Sequence, residues 1–196
     1  MVIKKAVYKT SVVEKSKLIQ DDVPEFAFVG RSNVGKSSLI NMLVGQKRLA
    51  KASSTPGLTK MVNYFDINDS FRFVDLPGYG YAKVGKSHLD VWAGLMGEYL
   101  VGSQSLDTVF VLVDVRIEPS ELDRSMLQFL IYHQIPFMVL ATKSDKLSRS
   151  RLLQQRKALA KGLLIREELI ILTSSESGLG KDKVLEYIEN KVEANA

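Results

Sequence analysis

The sequence predicts a layered α/β fold, with helices on both faces of a mixed but mostly parallel sheet. Three observations carry this expectation. Short apolar segments of strand length, Phe26–Val29, Thr108–Asp114 and Pro136–Ala141, lack the alternation of a half-solvated strand, as suits parallel strands buried on both faces. Between them lie longer segments whose apolar residues recur at helical spacing. A hairpin, with strands Met61–Ile67 and Phe71–Asp75 around Asn68-Asp69-Ser70, brings one antiparallel strand into the sheet. The expected core is a six-stranded sheet in a three-layer arrangement.

Taken in order, residues 1–24 are polar and read as an N-terminal arm, leaving 25–194 as a single domain. Within the arm, Val7–Val13 is extended and is either an extra edge strand or an ordered arm. Asp21-Asp22-Val23-Pro24 turns into the first core strand. A glycine-rich turn then opens a helix carrying Leu39, Met42 and Leu43, with Gly45 suited to its C-cap. Residues 46–60 form a basic loop, long enough to suggest a functional role. After the hairpin, a glycine-rich stretch from Tyr79 to Lys86 precedes a helix over Ser87–Val101, striped by Leu89, Trp92, Leu95, Met96 and Tyr99. Pro119 opens a helix over Ser120–His133. A basic amphipathic helix covers Arg149–Gly162, the last strand is Glu168–Leu172, and a final helix presents Val184, Ile188 and Val192 on one face.

Composition narrows the function classes. With 196 residues, 45% hydrophobic and 25% charged, the chain fits one ordinary globular domain. The absence of cysteine excludes disulfides, thiol catalysis and Cys-ligated metal, and suits a reducing cytosol. The longest apolar runs fall far short of the roughly 20 residues of a membrane helix. A soluble, cytoplasmic monomer without membrane contact is expected. The net charge of +5 is uneven: +7 over residues 1–60, −5 over 61–145 and +3 over 146–196. The basic first third suits a polyanionic partner or an ordinary solvated surface.

The stretch Gly30-Arg31-Ser32-Asn33-Val34-Gly35-Lys36-Ser37 fits G-x-x-x-x-G-K-[ST], with a strand before it and a helix after it. Its glycines let the backbone curl so that amides face phosphate oxygens, and the helix that follows adds its dipole. Lys36 can reach the β- and γ-phosphates, and Ser37 offers a hydroxyl to Mg²⁺. Asp75-Leu76-Pro77-Gly78 ends a strand at the same edge of the sheet, where Asp75 can hold Mg²⁺ through water.

The base is addressed by Thr142-Lys143-Ser144-Asp145, also at a strand end. A carboxylate accepts from guanine N1–H and N2–H but repels the N1 acceptor of adenine. Asp145 can do this, Lys143 can lay its stem along the base, and amides near Ser174 and Ser175 can donate to guanine O6. The competing role for Asp145 is a helix N-cap. His88 and His133 show no metal or catalytic pattern, Trp92 reads as core, and Asp114 with Arg116 ends a strand without an assigned role.

These motifs, with Pro56-Gly57-Leu58-Thr59, Asp-Leu-Pro-Gly-Tyr-Gly and Thr173-Ser174-Ser175-Glu176, resemble the EngB-type (YihA/YsxC) bacterial GTP-binding proteins of the TrmE–Era–EngA–YihA group, over about residues 4–190. The resemblance implies a Ras-like G domain of the P-loop NTPase class, GTP and GDP as ligands, slow Mg²⁺-dependent hydrolysis, a role in large ribosomal subunit assembly on ribosomal RNA, and a requirement in cell division and septation. Thr142 replaces the asparagine usual in small GTPases, a departure normal for this family. Carried onto this chain, Gly30 to Ser37 hold the phosphates, and Ser37 and Thr59 ligate Mg²⁺. Gly57, Leu58, Thr59, Lys60 and Met61 form a first switch, and Asp75, Leu76, Pro77 and Gly78 begin a second. Thr142, Lys143, Ser144 and Asp145, with Thr173, Ser174 and Ser175, hold the base.

Hydrolysis needs positioned water and neutralised charge. Lys36, Ser37, Thr59 with Mg²⁺ and the Gly78 amide cover the charge. Ras-like proteins place a glutamine after that glycine, and this chain has Tyr79. Slow turnover is therefore expected, with help from a partner or a monovalent cation. Asn33 resembles the K⁺-ligating asparagine of related members; its other reading is a turn residue tolerant of unusual backbone angles. Two competing functions remain open at this point. A P-loop ATPase or kinase lacks a recognisable acceptor pocket or lid, whereas a nucleotide-indifferent RNA-binding module is motivated by basic segments 47–60 and 149–161.

Overall fold

Strand β2 (Glu25–Gly30) is buried along its whole length, and the molecule is layered around it. The computed structural model describes residues 1–50, 61–79 and 94–194. The other strands are β1 (Ala6–Val12), β3 (Val62–Ile67), β4 (Phe71–Asp75), β5 (Leu106–Asp114), β6 (Phe137–Thr142) and β7 (Ile170–Leu172). The helices are α1 (Lys36–Val44), α2 (Leu95–Gly102), α3 (Glu121–Tyr132), α4 (Arg149–Leu163) and α5 (Lys181–Ala194). Residues 51–60 of the expected basic loop 46–60, and the expected helix start at Ser87 with His88, Leu89 and Trp92, lie outside the described residues.

The sheet has seven strands in the order β1-β3-β4-β2-β5-β6-β7. The strand beyond the expected six is β1, paired antiparallel with β3 from Ala6 opposite Ile67 to Val12 opposite Val62. The extended stretch of the arm is thus an edge strand. Since β3 is antiparallel to both β1 and β4, it alone runs against the rest. Flanking ion pairs, Lys5 to Asp69 at 2.8 Å and Lys9 to Asp66 at 2.9 Å, join this edge to the hairpin.

Two apolar layers cover the sheet. On one face, Phe26, Phe28, Phe71, Phe73 and Phe110 pack with Leu39, Ile40 and Leu43 of α1 and Val184, Leu185 and Ile188 of α5. Phe28 meets Phe73 edge-on at 4.9 Å between ring centroids, the geometry favoured by the ring quadrupoles. On the other face, Ala27, Val29, Val109, Val111 and Val139 pack with α2, α3 and α4 through Tyr99, Leu100, Met126, Leu130, Leu159 and Leu163. Residue alternation along β2 supplies both layers, since successive side chains point to opposite faces.

Local signals set the helix ends. Gly45 is left-handed (φ 70°), and its amide bonds Asn41 and Met42 carbonyls, closing α1. Ser120 caps α3 through a capping box with Asp123.

One feature of the sheet's amino end has no local sequence signal. Glu25 is fully buried, and its carboxylate accepts from Tyr99 Oη at 2.8 Å and Ser103 Oγ at 3.1 Å, with Arg72 3.6 Å away. Arg72 also grips Asp21 with two bonds of 2.6 and 2.7 Å. Burial pushes the Glu25 carboxyl upward despite these donors. The network ties α2 to the foot of β2.

Candidate functional site

The carboxyl ends of β2, β4, β5, β6 and β7 share one edge of the sheet. Pairings Phe28 with Asp75, Gly30 with Leu112, and Asp114 with Thr142 bring the strand ends together. Between β4 and β5 the chain leaves β2 where the strand order reverses, the crevice that α/β sheets use for ligands.

Gly30 begins the phosphate loop because nothing larger fits. A Cβ there would lie 2.9 Å from Val34 Cγ1 and 3.0 Å from the Leu112 carbonyl oxygen. Gly35, at φ 103°, adopts a backbone that side-chain-bearing residues avoid, and it precedes Lys36 as the N-cap of α1. No side chain caps this helix, so its first amides are offered to an anion. Asn33 is left-handed at φ 64°, in keeping with its reading as a tolerant turn residue. The cation-ligand reading is separate from this geometry.

The start of the second expected switch is laced to this loop. Tyr79 N donates to Gly30 O at 3.2 Å, and Ser32 N donates to Tyr79 O at 3.2 Å. Lys36 Nζ contacts the Asp75 carboxylate and donates to the Leu76 carbonyl at 2.7 Å. Pro77 and Gly78 follow, and a Cβ on Gly78 would come within 3.3 Å of Gly30 O. Of the first expected switch, Gly57, Leu58, Thr59 and Lys60 lie outside the described residues. Met61 lies directly before β3.

Beside the loop a cleft of about 210 Å³ is lined by Gly35, Ser38, Thr142, Lys143, Asp145 and Ser175, among others. Its walls are braced by long-range bonds. Thr142 Oγ1 donates to Val34 O at 2.7 Å and lies 3.1 Å from Val113 O, joining β6 to the phosphate loop and β5. Lys143, left-handed at φ 60°, donates from Nζ to Asn33 O at 3.0 Å and pairs with Asp114 at 3.1 Å. Ser144 N donates to Thr173 O at 3.1 Å, and Thr173 N to Ala141 O at 2.8 Å.

Asp145 accepts from Ser174 Oγ at 2.7 Å and Lys146 at 2.8 Å. The Lys146 ammonium and then the Ser174 hydroxyl hold its carboxyl below the usual range. The N-cap position of α4 is occupied by Ser148, not Asp145, and the Ser148 side chain makes no capping bond. Ser174 N is already bonded to Leu179 O at 3.0 Å, which leaves Ser175 N as the candidate donor to a base.

Two pairs at this edge escaped sequence reasoning. Asp114 sits beneath Lys143. Burial opposes its ionisation, but bonds from the Arg116 side chain and amide and from Lys143 win, holding the carboxyl at about 2. The signal was visible as Asp114-x-Arg116 at a strand end, without a partner to explain it. Tyr79 turns its ring into the core, where its hydroxyl donates to Asp123 at 2.8 Å. No spacing rule links residues that far apart.

A glycine-rich phosphate loop at a sheet's switch point, facing a carboxylate-bearing cleft, defines a P-loop protein of the GTPase class. A family model described as 50S ribosome-binding GTPase matches residues 25–143. Over 193 residues the chain is 47% identical to the probable GTP-binding protein EngB of Porphyromonas gingivalis ATCC 33277, covering 97% of this chain and 96% of that one. It is 46% identical over 190 residues to the protein of the same name from Prosthecochloris aestuarii, covering 97% and 98%. A crystal structure of a probable GTP-binding protein EngB superposes with a TM-score of 0.70 at 22% identity, over 87% of this chain and 99% of that one, a likeness of fold. The chain belongs to the EngB family of GTP-binding proteins, with GTP and GDP as ligands and GTP hydrolysis as its reaction. Mg²⁺ is the metal typical of such GTPases. No helix among the described residues is long and apolar enough to cross a membrane.

Proposed function

We propose that this protein is a slow, Mg²⁺-dependent GTPase switch that acts on ribosomal RNA during large ribosomal subunit assembly in the cytoplasm, as a monomer, and is needed for normal cell division and septation. The observation that carries the nucleotide part is Asp145, held ionised by Lys146 and Ser174 at the mouth of the cleft beside the phosphate loop. An ionised carboxylate there accepts two guanine donors and rejects adenine. The ribosomal role rests on the family resemblance and on the matching family of 50S ribosome-binding GTPases, and the septation role on the resemblance alone.

In this reading, the amides from Gly30 to Ser37 bind the phosphates, Lys36 leaves Asp75 for the β- and γ-phosphates, and Lys143 lies along the base. Mg²⁺ prefers hard oxygens and keeps several waters. Ser37 and Asp75 offer a hydroxyl and a carboxylate suited to it, and Thr59 is the expected third residue. When bound, the metal neutralises phosphate charge. Slow turnover is supported by Tyr79, whose side chain is committed to Asp123 and cannot orient water. K⁺ held partly by Asn33 is the proposed substitute for an arginine finger. Equal turnover in K⁺ and Na⁺ buffers would count against that element.

Two measurements test the proposal. GDP should compete for the site where ADP does not. The protein should co-sediment with large ribosomal particles differently with GDP and with a non-hydrolysable GTP analogue. Identical sedimentation in both states would refute the switch.

A further inference from the structure

We propose that the exposed face of α4 docks on RNA, its cations lying along the phosphate backbone of a duplex segment. Helix α4 carries Arg149, Arg151, Arg156, Lys157 and Lys161 and contains no acidic residue. Arg151, Gln154, Lys157 and Lys161 are all exposed, and their spacing of three, three and four residues aligns them on one side. Leu152, Leu159 and Leu163 face the core instead. The aligned residues span about 15 Å of helix, at a rise of roughly 1.5 Å per residue.

The pairing of charges sets this face apart from the basic amino-terminal arm. In the arm, Lys5, Lys9, Lys15 and Lys17 each meet a carboxylate. Among the described residues, Arg149, Arg151, Lys157 and Lys161 have no ion-pair partner. The larger positive excess of the amino-terminal third is thus partly neutralised within the fold, whereas that of α4 faces outward.

The helix is also charged against its own dipole. Arg149 and Arg151 occupy its first turn, no acidic residue accompanies them, and no side chain caps it. Cations at this end are unfavourable to the helix. By contrast, α3 begins with Glu121, Asp123 and a capping box. Retaining cations where folding disfavours them fits an anionic partner that compensates them.

The chemistry of the face selects the partner. It has no aromatic residue for stacking on unpaired bases, so phosphates rather than bases are what it can contact. Arg and Lys on an exposed helix match the regular phosphates of double-stranded RNA, recognised by backbone and shape. The identity of that RNA as ribosomal rests on the function proposed above; the surface itself does not.

The test uses the full chain with GDP bound and a fluorescent RNA hairpin of about 20 base pairs, comparing wild type with the triple variant Arg151→Ala/Lys157→Ala/Lys161→Ala. Anisotropy is followed across a salt series. Each lost phosphate contact should lower the slope of log affinity against log salt by about one, so by up to about three in the triple variant. GDP affinity should stay at the wild-type value, and the melting temperature should not fall, since Arg151 opposes the helix dipole. A triple variant that keeps the wild-type slope overturns the proposal. So does wild-type binding to phosphatidylserine vesicles with none to the hairpin. Co-sedimentation with large ribosomal subunits separates the two readings. If wild type and variant pellet alike, this face is excluded while the ribosomal role stands. If neither pellets but the hairpin slope falls as expected, the RNA face stands and the ribosomal role fails.

Discussion

The hydroxyl of Tyr79 donates to Oδ1 of Asp123 across 2.8 Å in a buried contact that joins the residue after Gly78 to the first turn of α3. Asp123 Oδ2 meanwhile accepts from Ser120 N and Oγ at 2.8 and 2.7 Å. The position that carries a water-orienting glutamine in Ras-like proteins is therefore a structural anchor here. Tyr79→Phe should cost about 1–2 kcal/mol, the usual effect of leaving a buried acceptor short of a donor. Tyr79→Gln should cost more, about 3–5 kcal/mol, because it also empties the ring's volume. Neither substitution should raise GTP turnover. Urea denaturation and single-turnover hydrolysis check both, and a faster Gln variant would contradict the anchor role.

Asp145→Asn replaces an acceptor-only carboxylate by an amide that can donate. Affinity for GDP should fall at least about 100-fold, and xanthosine diphosphate should become the better ligand, since its C2 carbonyl accepts where guanine donates. Calorimetric titration with both nucleotides reads the exchange. Unchanged preference would remove Asp145 from the base site.

The Thr142 hydroxyl donates to Val34 O across the sheet edge, with Val113 O 3.1 Å away. Thr142→Val keeps the shape and loses the hydroxyl. The expected outcome is a stability loss of about 1–3 kcal/mol together with weaker GDP binding, since the phosphate loop loses its tie to β6. Restored binding in Thr142→Ser, measured by the same titration, would assign the effect to the hydroxyl rather than to packing.

Asp114 predicts a pH signature. Its folded value of about 2 lies below the ordinary 3.8, so the folded state holds fewer protons in that interval. Its contribution is complete above about pH 4 and is lost as the pH falls through 2. Asp114→Asn should remove about 1 kcal/mol at neutral pH, the shift being discounted for screening of the exposed Arg116, and make the acid limb shallower between roughly pH 4 and 2. Denaturation midpoints across that range test it. Lys143 also loses its anchor, so GDP affinity should fall in the same variant.

The helices and strands were legible where local patterns act alone. Gly45 ends α1, and Ser120 with Pro119 opens α3, through contacts only a few residues long. The phosphate loop was legible for the same reason: Gly30, Gly35, Lys36 and Ser37 are close in the chain, and crowding at Gly30 and the positive φ of Gly35 dictate residue type directly. The guanine side was readable as chemistry but not as geometry. Asp145 offered the right acceptor, while its hydrogen-bond partner Ser174 lies 29 residues away and the N-cap position of α4 belongs to Ser148.

The sequence by itself determined the layered α/β class, the reversed strand of the hairpin, the phosphate loop and the candidate base-binding carboxylate, because each is written in spacings shorter than one strand or a few helical turns. Only the tertiary structure decided that the extended arm is an edge strand, that Tyr79 faces the core, that Glu25 is buried under Tyr99, and which cations are neutralised and which are bare. Those outcomes depend on partners far apart in the chain, as in the Tyr99–Glu25 bond across 74 residues. Burial makes such partners obligatory, since a polar group removed from water must find another, but the folded chain alone brings that other within reach.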